Sequence, residues 1–340
     1  MKYDVVGIGN ALVDIQVQVE DSFIEEVGIQ KGAMTLFEYA QQQDLLQKLE
    51  GKTRNICSGG SAANTIHGLG AAGIKSYYMG KVANDDFGLH YTQDMANCLV
   101  GFPGPDGETS GTGTSVVLIT PDAQRTMVTN LGISAKLNEN NVDETIIKGA
   151  KYVYVEGYLF TGEDTRNAAV QFARTAKKLG IPVAFTLSDA FVVNNFRKEI
   201  MDFVQWDVDI LFCNEVEGLA LSEKNNSKDA FDFISGIANT LFFTIGKEGA
   251  WGKRNGEEKI AVNSFPVHAI DTTGAGDLFA AGGLYGLLHN KTLKECCILG
   301  TYFASRVITH LGARLPTHTD HNIKKILDMY QSETGQGNKT

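Results

Sequence analysis

The segment Asp271-Thr272-Thr273-Gly274-Ala275-Gly276-Asp277 runs straight into the apolar stretch Leu278-Phe279-Ala280-Ala281-Gly282-Gly283-Leu284-Tyr285, and it constrains the fold more than any other part of the chain. It reads as a glycine loop that opens a buried helix. Gly274 and Gly276 allow positive φ and close approach of a ligand, and the unbonded N–H groups of the first helical turn point outward at the positive end of the helix dipole. The N–H groups around Gly274, Ala275 and Gly276 therefore make an anion cradle. Asp277, at the rim, would repel a bound phosphate unless it has chemical work, and proton abstraction from an attacking hydroxyl is work of that kind. A turn followed by a helix cap is the plainer alternative. A Walker loop is excluded, because the G-K-T at 51–53 has Leu46 where the first glycine belongs.

Short β-rich runs at 5–8, 152–156, 183–186, 210–213 and 241–245 alternate with amphipathic stretches such as 165–179 and 229–238, Gly180 and Pro182 supplying a stop and a restart. That alternation predicts an α/β fold whose mostly parallel sheet is covered on both faces. Two segments break the pattern: 13–19 alternates Val/Ile with Asp/Gln, and 113–127 is a β-rich run turning at Pro121-Asp122-Ala123. Both read as strands exposed on one face. With 340 residues, 43% of them hydrophobic, the chain is expected to form one large α/β domain over 1–330 with a small accessory piece, and 331–340 a frayed polar tail. The net charge of −10 argues against nucleic-acid binding. Five scattered cysteines without a C-x-x-C, and no leader or long apolar span, point to a reduced, cytoplasmic protein away from membranes.

Other residues carry chemistry by position. Gly7-Ile8-Gly9 follows a strand, but Leu12 stands where a dinucleotide-binding loop needs its third glycine. That segment offers Asn10 and Asp14 instead, and a carboxylate accepts hydrogen bonds from two vicinal hydroxyls, as on a sugar ring. Asn64 reads either as a further ligand contact or as a helix cap. Asn214 and Glu217 lie just past the strand at 210–213, where parallel sheets bind ligands, and a carboxylate there suits Mg²⁺ held through water. The alternative is an acidic helix start. Thr244, Gly246 and Gly249 close the next strand, either around a nucleotide or as a β-turn. His318, His321 and Asp320 read as solvated side chains, not a metal site.

Taken together, these motifs resemble the ribokinase-like (PfkB-type) sugar and nucleoside kinases, whose signature is D-T-x-G-A-G-D. Gly7–Asp14, the 58–65 segment Ser-Gly-Gly-Ser-Ala-Ala-Asn-Thr, the Asn214-x-x-Glu217 pair and the Thr244–Gly249 segment follow in the family's order, over roughly residues 3 to 328. The resemblance implies a three-layer α/β/α ribokinase-like fold with a small β lid, built from about 11–40 and 100–130, that closes over the acceptor. It implies ATP and Mg²⁺, with Asp277 as general base and Gly274, Ala275 and Gly276 around the transferred phosphoryl. It also places Asn10, Leu12, Asp14, Gly59, Gly60 and Asn64 on the acceptor, and Asn214, Glu217, Thr244, Gly246, Gly249 and Gly312 on the nucleotide and its metal. Asp271 and Thr273 become ligands of a possible monovalent cation such as K⁺, although Pro316 stands near the serine of potassium-dependent members.

Within the family the adenosine kinase branch is nearest, on Gly-Asn-Ala-Leu-Val-Asp at 9–14, Gly-Gly-Ser at 59–61, Gly-Thr-Gly-Thr at 111–114 and 209–215. That branch stacks the base on a phenylalanine where this chain has Leu159, so Tyr158 or Phe160 takes its place, with Met34 and Leu36 as further wall. The acceptor is then a nucleoside, or else a free sugar or keto-sugar acid. A non-catalytic nucleotide- or sugar-binding regulator is the reading of another class, and it accords poorly with an intact glycine loop and Asp277. A monomer and a homodimer fit equally, since a lid sheet can close a dimer or only cover substrate.

Overall fold

The computed structural model describes residues 3–107, 110–122, 124–315 and 319–334; Ala123, Pro316, His318 and 335–340 lie outside them. A large sheet carries the strands β1 (Val5–Ile8), β5 (Ser76–Met79), β6 (Val100–Gly101), β9 (Tyr152–Glu156), β10 (Val183–Thr186), β11 (Ile210–Asn214), β12 (Thr240–Thr244), β13 (Ala250–Arg254) and β14 (Ile260–Val262) in the order β14-β13-β12-β11-β10-β9-β1-β5-β6. All pairings from β6 to β12 are parallel, and β13 and β14 add an antiparallel edge. The β-rich runs of the sequence become strands within a residue or so of their expected ends, because each is an apolar stretch buried on both faces.

A second sheet holds β2 (Leu12–Gln18), β3 (Met34–Leu36), β4 (Arg54–Gly59), β7 (Gly113–Ile119) and β8 (Arg125–Asn130) in the order β3-β8-β7-β2-β4. The helices α1 (Asp21–Val27) and α2 (Tyr39–Lys48) cover its outer face, where Ile24, Leu45 and Leu49 pack on Ile15, Val17, Val116, Leu118 and Val128. Side chains alternate across a strand, so Leu12, Asp14 and Gln16 share the inner face with Arg125, Met127 and Met34.

One face of the large sheet carries α3 (Ser61–Ala71), α4 (Asp86–Asn97), α10 (Ala275–Leu288), α11 (Leu293–Val307) and α12 (Ile323–Thr334). The other carries α5 (Glu144–Ile147), α6 (Glu163–Lys178), α7 (Ala190–Asp207), α8 (Glu215–Ser222) and α9 (Ser227–Ile234). This is the three-layer α/β/α arrangement expected.

Three expectations need correction. The lid is wider than 11–40 and 100–130: β4 supplies one edge of the second sheet, while β6 at 100–101 pairs with β5 in the large one. β2 and β7 are buried almost throughout instead of exposed on one face, since helices cover one side and the main domain lies under the other. The tail is helical as far as Thr334, where α12 ends.

Candidate active site

Gly274 is the residue before α10 and has φ +75°, and a Cβ there would lie 2.8 Å from Ala313. Substitution is therefore blocked by both backbone and neighbour. A Cβ on Gly276, by contrast, would meet nothing within 4 Å, so the first turn of α10 looks onto open space. The N–H of Ala275 is partly used by Thr272 O at 3.3 Å, leaving Gly276 to provide the freest approach to the cradle.

Asp277 points back to α3. Ser61 Oγ donates to its Oδ1 at 2.7 Å, Asn64 Nδ2 to its Oδ2 at 2.9 Å, and Thr65 Oγ1 to its main-chain oxygen at 3.0 Å. Burial raises its carboxyl above the usual carboxylate range, while these bonds and the charge of Arg125 pull the other way. A carboxylate held by neutral donors and pushed toward neutrality is suited to accept a proton. Asn64, expected on the acceptor, thus first orients the base; its Oδ1 stays buried without a partner.

The residues expected on the acceptor side gather where the chain passes from β1 into β2. Asn10 and Asp14 are buried, and Asp14 is pressed against Gly59, where a Cβ would fall 2.5 Å from its carboxylate. Burial pushes the Asp14 carboxyl up to about 7, with Arg125 and Arg314 opposing. Gly60 has φ +94° and would place a Cβ 2.2 Å from Asn10 O, so the G-G pair is required for the lid hinge to meet α3. Leu12 is half-buried against Gly113.

Residues 157–161 form a short 3-10 turn that sends neighbouring side chains in different directions. Tyr158 is half-buried, with its OH 3.5 Å from Asp189 Oδ2. Phe160 goes the other way. It is 1% exposed, its ring 5.3 Å from Phe203 and 5.8 Å from Phe185 in the core, and Leu159 is buried beside it. Phe160 is therefore a core residue and does not line an acceptor site, whereas Tyr158, half-buried and packed against the same core, keeps its OH beside Asp189.

At the ends of β11 and β12, Asn214 and Thr244 are direct partners. Asn214 and Glu217 close a reciprocal cap on α8: Glu217 N–H donates to Asn214 Oδ1 at 2.9 Å, and Asn214 donates its N–H and Nδ2 to the Glu217 oxygens at 3.0 and 2.6 Å. Glu217 is nonetheless buried, and burial followed by the charges of Asp189 and Asp277 lifts its carboxyl to about 8. Among the described residues no three acidic, His or Cys side chains form a direct metal cage. Mutually repelling carboxylates without such a cage fit Mg²⁺ held through water and phosphate oxygens. Gly246 (φ +58°) leaves open space, whereas Gly249 (φ +107°) turns the chain into β13 with a Cβ position only 2.0 Å from Val262 O. Gly249 is thus required by the turn itself.

Asp271 is fully buried and already engaged. Its Oδ1 accepts from Thr273 N–H at 2.8 Å and from the Thr273 hydroxyl, its Oδ2 accepts from Gly312 N–H at 2.9 Å, and Arg125 Nε lies 3.9 Å from Oδ1. The Asp271 carboxylate and the Thr273 hydroxyl are thus spent on contacts within the protein, with a guanidinium nearby. Gly312, expected at the nucleotide, donates its N–H to Asp271, and a Cβ placed on it would lie 3.9 Å from Cys57 Sγ.

With this geometry the comparisons with known proteins agree. The profile of the pfkB family carbohydrate kinases matches residues 33–320. The chain belongs to that family. An adenosine kinase from Sinorhizobium meliloti superposes with a TM-score of 0.91 at 36% identity, covering 96% of this chain and all of that one. Guanosine-inosine kinase of Escherichia coli (strain K12) is 28% identical over 73% of this chain, and the match spans 59% of that protein's length. A 5-dehydro-2-deoxygluconokinase of Clostridium perfringens is 23% identical, covering 84% of this chain and 88% of its own.

Sequence reasoning on this pfkB kinase missed Ser61, Arg125, Glu156 and Asp189. Ser61 lay inside a quoted motif and Asp189 follows a strand end, so a search for polar residues at strand ends would have found both. Glu156 reads as the last residue of an apolar strand, and nothing local marks Arg125.

The buried carboxyls carry a pH signature. Asp14 goes from 3.8 to about 7, Glu156 from 4.5 to about 7 and Glu217 from 4.5 to about 8 on folding, each chiefly by burial. The folded chain thus holds protons that the unfolded chain has released. That contribution to stability is complete below the unfolded values and is lost as pH rises through the folded ones. The Tm of ligand-free protein is expected to fall by roughly several degrees between pH 6 and pH 8.5 at fixed ionic strength; a flat or rising trace would show these groups ionised freely in the fold.

Proposed function

We propose that this pfkB kinase transfers the terminal phosphoryl group of ATP to a primary hydroxyl of a nucleoside, with Asp277 as the general base. The observation that carries the reading is the placement of Asp277, fixed by Ser61 and Asn64 beside the open first turn of α10. Asp277 takes the hydroxyl proton as the oxygen attacks phosphorus. The N–H groups about Gly276 stabilise charge on the transferring group, and Arg125 on the closed lid excludes water and adds positive charge. Glu217 and Asn214 would lie beside Mg²⁺, which would supply neutralisation of the phosphate oxygens. Asp14 receives the acceptor's vicinal hydroxyls and Tyr158, with Leu12, Met34 and Leu36, receives the base.

A nucleoside is supported by Leu12, Met34 and Met127 on the inner face of the second sheet, by the half-buried Tyr158, and by the named activities of the adenosine and guanosine-inosine kinases. A keto-sugar acid is favoured by one observation: the half-buried Arg314 contacts Asp94 through Nη1 at 2.6 Å but leaves Nε and Nη2 without a hydrogen-bond partner, close enough to Asp14 to lower its pKa. ADP release measured against adenosine, guanosine, inosine, ribose, fructose and keto-sugar acids separates the two. Tyr158→Ala is expected to raise KM for the preferred nucleoside about tenfold, the effect of roughly 1.4 kcal/mol of stacking, while Asp14→Ala impairs every acceptor. Higher kcat/KM on a free sugar would sink the nucleoside assignment.

For the metal, Glu217→Gln is expected to raise the Mg²⁺ concentration for half-maximal rate severalfold, since a charge near the water-held ion is lost. The cap on α8 should survive, since Asn214 Oδ1 still accepts from the N–H of residue 217 and a glutamine can serve in that place. An unchanged Mg²⁺ titration would leave Glu217 as a cap alone.

A further inference from the structure

Glu156 ends β9 at the centre of the large sheet, fully buried and assigned no part in the reaction above. Both its oxygens are committed: Asn10 N–H donates to Oε1 and Ala62 N–H to Oε2, each at 2.7 Å. Asn10 lies between β1 and β2, where the chain leaves the large sheet for the lid. Ala62 lies in the first turn of α3, the helix whose Ser61 and Asn64 hold the two Asp277 oxygens. The chain makes room for this carboxylate, since a Cβ on Gly9 would lie 2.6 Å from it. With each oxygen accepting from a buried N–H, one at the lid turn and one at the start of α3, the carboxyl is a two-ended joint there.

We propose that Glu156 is a positioning residue that couples the lid hinge to the general base, holding Asn10 and α3 in register so that Asp277 meets the acceptor when the lid is closed. An amide cannot replace it, because a glutamine offers one acceptor oxygen and turns its NH₂ toward the second N–H. A displacement of about 1 Å in such a frame can cost on the order of 10²-fold in rate. The proposal rests on the kinase reading, and the acceptor used in its test is whichever one the panel above identifies.

The experiment compares wild type, Glu156→Gln, Asn64→Ala and the double variant for kcat, acceptor KM, ATP KM and Tm. The expected result is a fall in kcat of about tenfold or more in Glu156→Gln with ATP KM nearly unchanged. In the Asn64→Ala background the same change should cost less, because one of the two bonds by which α3 holds the Asp277 carboxylate is already lost. A purely structural carboxylate would lower Tm but leave kcat per folded molecule unchanged, or would combine additively with Asn64→Ala; either outcome overturns the proposal. If Glu156→Gln does not fold, Gly9→Ala displaces the carboxylate without removing it and is held to the same readouts. Wild type inactive on every acceptor would refute the kinase reading, whereas an active wild type with an unaffected variant refutes only the role of Glu156.

Discussion

Asp277→Asn is expected to lower kcat by about 10²- to 10⁴-fold, with KM for ATP nearly unchanged. The substitution keeps size and leaves one oxygen to accept from Ser61 or Asn64, but it cannot take a proton from an attacking hydroxyl. Since burial raises the wild-type carboxyl, the acid limb of kcat/KM should lie above the usual carboxylate range and should vanish in the residual activity of the variant. A variant that kept more than about a tenth of wild-type kcat would show that the proton leaves by another route.

Arg125→Ala should cost about 10²- to 10³-fold in kcat, the loss that follows removal of one preorganised donor from a charge-developing site. Arg125 opens β8 on the lid yet reaches within 3.9 Å of Asp271 in the main domain, so its charge arrives at the cradle only with the lid. It also lowers the pKa values of Asp14, Asp189 and Asp277. Its removal should therefore move the acid limb of the pH profile upward as well as reduce the plateau. Arg125→Lys, which keeps the charge without the planar fork, should recover part of the rate. A normal kcat with an unmoved pH profile in Arg125→Ala would confine the residue to a surface role on the lid.

What the sequence by itself determined is local in physical origin. The strands of the large sheet are apolar runs buried on both faces, and the glycine loop before α10 needs backbone freedom that only glycine gives, so both are written within a few neighbouring residues. The pairing of Asn214 with Glu217 is also local, and the structure makes it a helix cap. Only the tertiary structure decided which distant groups meet. Asp277 is fixed by residues 213 and 216 positions away, and Glu156 joins Asn10 across 146 positions; no periodicity encodes such pairs. Arg125 and Asp271 meet because the lid folds over the cradle, and β4 joins the lid because its register with β2 places Cys57 opposite Asp14. Phe160 shows the finest case. The 3-10 turn buries it fully in the core while Tyr158 stays half-buried with its OH beside Asp189, and that phase is set by packing against Phe185 and Phe203, not by the residue types alone.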